Sequence, residues 1–136
     1  MATDTVQLTE PQRAFIREHP FPAVVTTLRP DGSPHSTVVW IDEDGGDVVF
    51  NTAEGRAKPR HLSRDPRVSV TVVDPDDQYR WVSVGGRAEM TTEGAREHID
   101  KLARTYLGQD VYPWHQPGEQ RIIVRVKPDK VDSYGF

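Results

Sequence analysis

A strict alternation of apolar and polar residues over Arg67–Val73 is the feature that most restricts how this chain can fold. Valines occupy one set of alternate positions, and Arg67, Ser69 and Thr71 occupy the other. Successive side chains of a β-strand point to opposite faces, so this pattern predicts a strand buried on one side only. Strands of this kind are typical of antiparallel sheets. The chain is therefore predicted to consist mainly of antiparallel strands.

Similar apolar segments, separated by turn residues, complete a set of six predicted strands. The others are Phe21–Arg29, Pro34–Ile41, Asp47–Asn51, Tyr79–Met90 and Arg121–Lys127, with Val131–Tyr134 as a continuation of the last. Pro30–Ser33 is predicted to close a hairpin and Asp42–Gly46 to form a turn. A bulge or barrel corner is expected at Gly85–Gly86. Six strands in 136 residues favour a small β-barrel over a two-layer sandwich.

Three short helices are predicted at the periphery of this barrel. Thr9 and Gln12 have the spacing of a capping box, which places a helix from there to about Glu18. A second helix should begin around Ala57–Pro59, because Pro is well tolerated in the first helical turn. A third should run from about Thr92, with an apolar stripe that ends before Gly108.

Positive charge is concentrated directly after the strand Asp47–Asn51. Five basic residues lie between Arg56 and Arg67, against the single acid Asp65, although the formal net charge of the chain is -4. The start of the second helix would present free N–H groups and a positive dipole end to a phosphate or carboxylate. The pattern indicates either one focused anion site or a solvated basic helix face.

Composition and motifs exclude several classes of protein. The 136 residues correspond to one domain, and the absence of Cys excludes disulfides, thiolate metal sites and Cys nucleophiles. No apolar segment has the length of a membrane span, and no secretory signal is visible, so a cytoplasmic location is expected. The net acidity disfavours general attraction to nucleic acids. Metal-binding His motifs, a nucleophile elbow and phosphate-binding Gly loops are all missing.

Motifs along nearly the whole chain together resemble those of one family. They are Ala23–His35, Ser36–Trp40, Arg56–Leu62, Asp65–Ser69 and Gly86–Ala88. In this order they resemble the pyridoxamine 5'-phosphate oxidase-like family, and more closely its subgroup that uses the deazaflavin coenzyme F420. The resemblance implies a six-stranded antiparallel split β-barrel (the FMN-binding split barrel) with peripheral α-helices. It also implies a homodimer with its cofactor sites between the subunits.

The same resemblance assigns cofactor contacts to nine positions. They are Arg56, Lys58 and Arg60 for the phosphate, Asn51 and Thr52 for hydrogen bonds to phosphate or ribityl, Ser36 and Val38 for the ring, and the partner subunit's Tyr79 and Trp81. No protein side chain is implied as a catalytic group, and no metal is implied. Trp40 and Trp81 either stack on a ligand or belong to the core or the subunit interface. His35 either orients a ring or packs within its hairpin.

The family relation implies a hydride-transferring enzyme that reduces a small conjugated or quinone-like substrate with coenzyme F420. The C-terminal Val131–Phe136 lacks the Arg-Leu-His-type motif of true pyridoxamine phosphate oxidases, which argues against vitamin B6 oxidation. An FMN-dependent oxidoreductase of the same fold and a non-catalytic cofactor carrier stay open as alternatives. The loop Gln109–Glu119, which carries Tyr112, Trp114 and His115, is either a substrate lid or a loop anchored by its aromatic residues.

Overall fold

The computed structural model describes residues 6–136 and contains three helices and seven strands. In chain order they are α1 (Glu10–Arg17), β1 (Ala23–Leu28), β2 (Pro34–Val39), β3 (Ile41–Asp44), β4 (Asp47–Ala53), α2 (Ala57–Arg64), β5 (Arg67–Asp74), β6 (Asp77–Thr91), α3 (Ala95–Leu107) and β7 (Arg121–Tyr134). The strands form one curled antiparallel sheet in the order β2-β1-β5-β6-β7-β4-β3. This architecture confirms the predicted mainly β, split-barrel type of fold with peripheral helices.

The sheet has seven strands rather than the six predicted, because the segment after Trp40 is a strand. Ile41 pairs with Phe50 and Asp44 pairs with Asp47, so the turn contains only Gly45 and Gly46. The prediction of a turn over Asp42–Gly46 was wrong at its first three residues. Both glycines have positive φ, 61° and 92°, and this conformation permits a hairpin turn of two residues.

The acidic residues that suggested a longer turn are neutralised within the strand. The Glu43 carboxylate is almost fully buried and accepts hydrogen bonds of 2.9 Å from both Arg13 and Arg17 of α1. Lys101 of α3 donates to Asp42 over 2.7 Å. Charged residues can occupy β3 because oppositely charged side chains from two helices reach them.

The core lies on the concave side of the sheet, where the predicted period of two is confirmed. Val68, Val70 and Val72 of β5 are 5%, 1% and 2% exposed. They pack in one cluster with the inward side chains of β1, β4, β6 and β7 and with the apolar face of α1. Helix α1 begins with the predicted capping box of Thr9 and Gln12.

The predicted bend in β6 is present at the glycine pair. The register between β6 and β7 shifts between Gly85 and Gly86. A Cβ atom on Gly86 would lie 2.0 Å from the carbonyl oxygen of Lys127. Only glycine therefore permits the two strands to approach this closely at the bend.

The outer side of the sheet is covered over only part of its width. Helix α3 packs over β4 and β7 and buries an apolar stripe that includes Ile99 and Leu102. Over β2, β1, β5 and β6 the outward side chains form what we call the open face: Val24, Thr26, Ser36, Val38, Ser69, Thr71, Val73, Trp81 and Ser83. None of the helices within residues 6–136 is long and apolar enough to cross a membrane.

Candidate functional site

The junction between β4 and α2 is built to meet a ligand at the start of the helix. The strand ends at Ala53, and α2 begins at Ala57, as the sequence predicted. Arg56 occupies the N-cap position without a side-chain capping hydrogen bond, and the first turn contains no acidic residue. The N–H groups of Ala57 and Lys58 are therefore free to bind an anion, while Pro59 has no N–H to offer.

A cavity of about 270 Å³ lies beside this junction, and we call it the α2–α3 cavity. Its lining residues come from β2, β4, α2, α3, the start of β7 and the connecting segments: Pro22, Val38, Val39, Trp40, Asn51, Thr52, Arg56, Lys58, Ile99, Leu102, Tyr106, Tyr112, Trp114 and Arg121. It therefore brings together five predicted site residues, namely Val38, Asn51, Thr52, Arg56 and Lys58. No acidic side chain is part of this lining.

The cavity has a cationic end formed by α2. Lys58 Nζ donates to Thr37 Oγ1 over 2.9 Å. Burial lowers the pKa of Lys58, and the neighbouring Arg56 charge lowers it further. An anion bound here would raise the pKa of Lys58 again, because its negative charge would stabilise the ammonium.

Thr52 provides a further test of whether this end of the cavity fits a phosphorylated cofactor. Its Oγ1 atom is buried and has no hydrogen-bond partner among residues 6–136. A buried hydroxyl without a partner is costly. A phosphate or ribityl oxygen in the cavity would satisfy it, so the residues present fit the cofactor that the sequence predicts.

Arg121 is a site residue that the sequence reasoning missed. Its side chain is 3% exposed, and its Nε donates to Asn51 Oδ1 over 2.8 Å. Its Nη1 donates to Glu119 over 3.1 Å, and its guanidinium lies 5.1 Å from the centre of the Tyr112 ring. At the start of a strand, an arginine that alternates with inward apolar residues is usually predicted to be exposed. The pattern therefore did not indicate a buried site residue.

The side chain of Asn51 is used within the protein. Its Nδ2 donates to the Ala95 carbonyl over 2.9 Å and lies 3.0 Å from His98 Nδ1. Burial lowers the pKa of His98 to about 4, so His98 is neutral at pH 7 and can accept this hydrogen bond. Asn51 thus connects α3 to Arg121, and a direct contact of Asn51 with a cofactor stays a prediction.

The other end of the cavity is aromatic, and we call Trp40, Tyr106, Tyr112 and Trp114 the aromatic wall. The rings of Trp40 and Tyr106 stack at 5.4 Å with an angle of 15°. Tyr112 meets Trp114 edge-on at 5.5 Å. Trp40 lines the cavity that Lys58 also lines, and its stacking on a ligand stays a prediction.

The loop that carries Tyr112 and Trp114 is anchored at its base. His115 Nε2 lies 3.3 Å from Asp100 of α3, and His115 Nδ1 lies 3.6 Å from Glu119. The Tyr112 backbone N–H donates to the same Asp100 carboxylate over 2.8 Å. These contacts favour the anchored-loop interpretation over a mobile lid.

Four predicted site residues lie away from this cavity. Arg60 lines a separate open groove of about 790 Å³ with Pro59, Ser63 and Met90. The Ser36 hydroxyl lies 2.8 Å from that of Thr26 on the open face. Trp81 lines a shallow depression on the same face, and Tyr79 is 67% exposed.

His35 does not line the cavity, and it packs against α2 rather than only within its hairpin. Its ring meets that of His61 edge-on at 5.1 Å, and its Nδ1 is buried with no partner among residues 6–136. His61 lies 2.8 Å from Thr27 Oγ1, and burial lowers its pKa. No group of three or more His, Asp or Glu residues in the described part of the chain could hold a metal ion.

The pyridoxamine 5'-phosphate oxidase family model matches residues 8–135 of this sequence. The chain belongs to this family, which confirms the relation predicted from its motifs. A reductase of biliverdin from Mycobacterium tuberculosis that depends on reduced coenzyme F420 is 26% identical over 132 residues, or 96% of this chain and 91% of that protein.

Solved structures show the same relation. A protein described as an F420 reductase superposes with a TM-score of 0.76 at 29% identity, over 88% of this chain and 94% of the other. A conserved hypothetical protein of Mycobacterium tuberculosis gives a TM-score of 0.72 at 25% identity, over 98% of this chain and 88% of the other.

Proposed function

We propose that this protein is an oxidoreductase that uses coenzyme F420 to reduce a small conjugated or quinone-like substrate in the cytoplasm. The observation that carries the proposal is the α2–α3 cavity, whose lining combines cations at an uncapped helix start with four aromatic side chains. A planar coenzyme with a phosphorylated tail needs both features. The names of the related reductases support the choice of coenzyme.

In this proposal the chain binds and orients the coenzyme rather than taking part in covalent chemistry. Lys58, Arg56 and the first N–H groups of α2 hold the phosphate, and Thr52 Oγ1 donates to an oxygen of the tail. Val38 lies beside the ring. When bound, the reduced coenzyme supplies a hydride, and a proton from water completes the two-electron reduction of the substrate.

A homodimer would complete the site. The open face carries exposed apolar side chains, with Val38 69% and Val24 42% exposed, among small hydroxyl residues that permit close approach. A second copy that covers this face would also account for the predicted partner contributions of Tyr79 and Trp81, which lie away from the cavity of their own chain. Exposed sheet surfaces with apolar side chains are common subunit interfaces.

The deciding experiment is calorimetric titration of the protein with coenzyme F420 and, separately, with FMN. We expect F420 to bind more tightly, and Lys58→Ala to weaken its binding by about 1.5–3 kcal/mol, the value of a hydrogen bond to a charged group. Arg64→Ala is the matched control, because it removes a cation from the same helix whose guanidinium contacts the Leu28 carbonyl.

Other outcomes would contradict the proposal. Unchanged F420 affinity in the Lys58→Ala variant would show that Lys58 does not bind the coenzyme phosphate. A yellow purified protein that releases FMN would establish the flavin enzyme instead. Tight F420 binding without reduction of any quinone acceptor would indicate a cofactor carrier.

A further inference from the structure

We propose that Glu119 competes with the coenzyme phosphate for Arg56 and thereby sets how tightly the coenzyme is held. The inference rests on the proposed function and adds to it a residue that controls affinity at the same site. Glu119 belongs to the loop before β7 and lies outside the lining of the α2–α3 cavity. Both of its arginine partners, Arg56 and Arg121, are part of that lining.

Three basic side chains converge on this one carboxylate. Its Oε1 accepts a hydrogen bond of 3.1 Å from Arg121 Nη1 and lies 3.6 Å from His115 Nδ1. Its Oε2 lies 3.9 Å from Arg56 Nη2. The Glu119 side chain is 10% exposed, whereas the Arg56 side chain is 52% exposed. The carboxylate is therefore fixed inside the protein, and Arg56 is the partner that can move.

The two oxygens have different partners, and this permits Arg56 to exchange Glu119 for a phosphate. Arg121 and His115 contact Oε1, so the carboxylate keeps a charged partner when Arg56 turns away from Oε2. Arg121 is itself held in place, because its Nε donates to Asn51 over 2.8 Å. The exchange therefore leaves no buried charge without a partner, which would be costly.

The contact between Glu119 and Arg56 lowers the affinity of the site for an anion. Arg56 gives up its attraction to the carboxylate when it binds a phosphate, and it regains that attraction when the phosphate leaves. An ion pair of 3.9 Å with an exposed arginine is weak, so its removal should change affinity only about threefold. The sign of the change separates two roles: replacing a residue that only supports the loop weakens binding, whereas replacing a competitor strengthens it.

The test is calorimetric titration with two probes, coenzyme F420 and inorganic pyrophosphate, which offers phosphate groups without a ring. Glu119→Gln keeps the size of the side chain and an oxygen acceptor for Arg121, but it removes the charge. We expect this variant to bind both probes about threefold more tightly. The gain should vanish in the Arg56→Ala background, since a double-mutant cycle isolates the pair. Glu18→Gln removes the same charge at the exposed end of α1 and should leave both affinities unchanged.

Weaker or unchanged binding in the Glu119→Gln variant would overturn the proposal, as would an equal gain in the Arg56→Ala background. Circular dichroism checks that the variants fold. If Glu119→Gln does not fold, a crystal structure of the unaltered protein with pyrophosphate provides the test. Arg56 should have left Glu119 in that complex while Arg121 keeps its contact, and a persisting contact between Arg56 and Glu119 would overturn the proposal.

The two probes also separate this proposal from the proposed function. A gain for pyrophosphate without any F420 binding would contradict the proposed function alone. Tight F420 binding by the unaltered protein without a gain in Glu119→Gln would contradict the competition alone. Failure of both probes to bind the unaltered protein would overturn both proposals.

Discussion

The two halves of the outer sheet surface have similar strands but different surroundings. Over β4 and β7 the chain supplies its own cover, since α3 buries Leu102 to 2% exposure and closes one side of the α2–α3 cavity. Over β1, β2, β5 and β6 the open face lacks such a helix, and Val38 is 69% exposed. Most of the predicted site residues divide in a similar way. Asn51, Thr52, Arg56 and Lys58 meet at the cavity, whereas Ser36 and Trp81 lie on the open face. Val38 belongs to both, and Arg60 lies in the separate groove.

This difference shows what a period of two can and cannot establish. Alternation tells which residues share a face of a strand, but it does not tell what covers that face. One half of the outer surface is covered by a helix of the same chain. The other half, in our proposal, is covered by a second copy. Variants in each half can test this division.

The largest effect, on stability, is expected in the half of the outer surface that α3 covers. Leu102→Ala should lower the free energy of unfolding by about 2–5 kcal/mol, because it removes a buried side chain and leaves a cavity under α3. Urea denaturation followed by circular dichroism measures this loss. The loss should be independent of protein concentration, and a loss that changes with concentration would mean that α3 also contributes to a subunit interface.

A somewhat smaller effect is expected from His98, a half-buried histidine of α3. The pKa of His98 is about 4 in the folded protein and 6.5 in the unfolded chain, so between these values the unfolded chain binds the extra proton. Stability should therefore fall as the pH is lowered from 6.5 to 4, by about 3 kcal/mol from this residue. His98→Gln should remove that part of the pH dependence in urea denaturation.

The control for this experiment is His19→Gln, which removes a partly exposed histidine beside α1. If both variants changed the pH dependence equally, the burial of His98 on α3 would not be its source.

On the open face the expected effect concerns assembly. Val38→Asp should weaken the proposed homodimer by about 2 kcal/mol, roughly 30-fold in dissociation constant, because it places an unpaired charge in an apolar contact. Sedimentation equilibrium measures the change. Val111→Asp adds the same charge at a 56% exposed loop position and should leave assembly unchanged. An unaltered protein that is monomeric at micromolar concentration would remove the contrast between the two halves.

The smallest effect, on F420 affinity, is expected from a substitution in the groove outside the cavity. Arg60 Nη1 donates to the Gly55 carbonyl over 3.3 Å, and its side chain lines the groove rather than the cavity. Arg60→Ala should therefore change F420 affinity by less than about 0.5 kcal/mol, in the range of exposed charge contacts. A calorimetric loss as large as that of Lys58→Ala would show that the coenzyme extends across α2 into the groove.

Local chemistry explains how much of this fold the sequence could predict. The capping box at Thr9, the valines of β5 and the bend at Gly86 each follow from nearby residues, and each was predicted. Strand β3 was missed because Asp42 and Glu43 resemble a turn until the cations of α1 and α3 are brought to them by the fold.

The site residues likewise divide into those indicated by nearby residues and those that depend on tertiary contacts. The run from Arg56 to Lys58 is a local signal, and it led to the cavity. Arg121 gave no signal because its partners Asn51, Tyr112 and Glu119 come from β4 and the loop before β7. Only the tertiary structure turns an ordinary strand residue into a buried cation.

The missing cap at Arg56 has a thermodynamic consequence for α2. In most helices a side chain of the protein satisfies the first amide hydrogens, whatever else is bound. In α2 no N-cap side chain accepts these hydrogens. An anion that accepts hydrogen bonds from them would therefore also complete the start of the helix. Part of the free energy of anion binding is then also free energy of ordering this eight-residue segment, so a bound anion should stabilise α2.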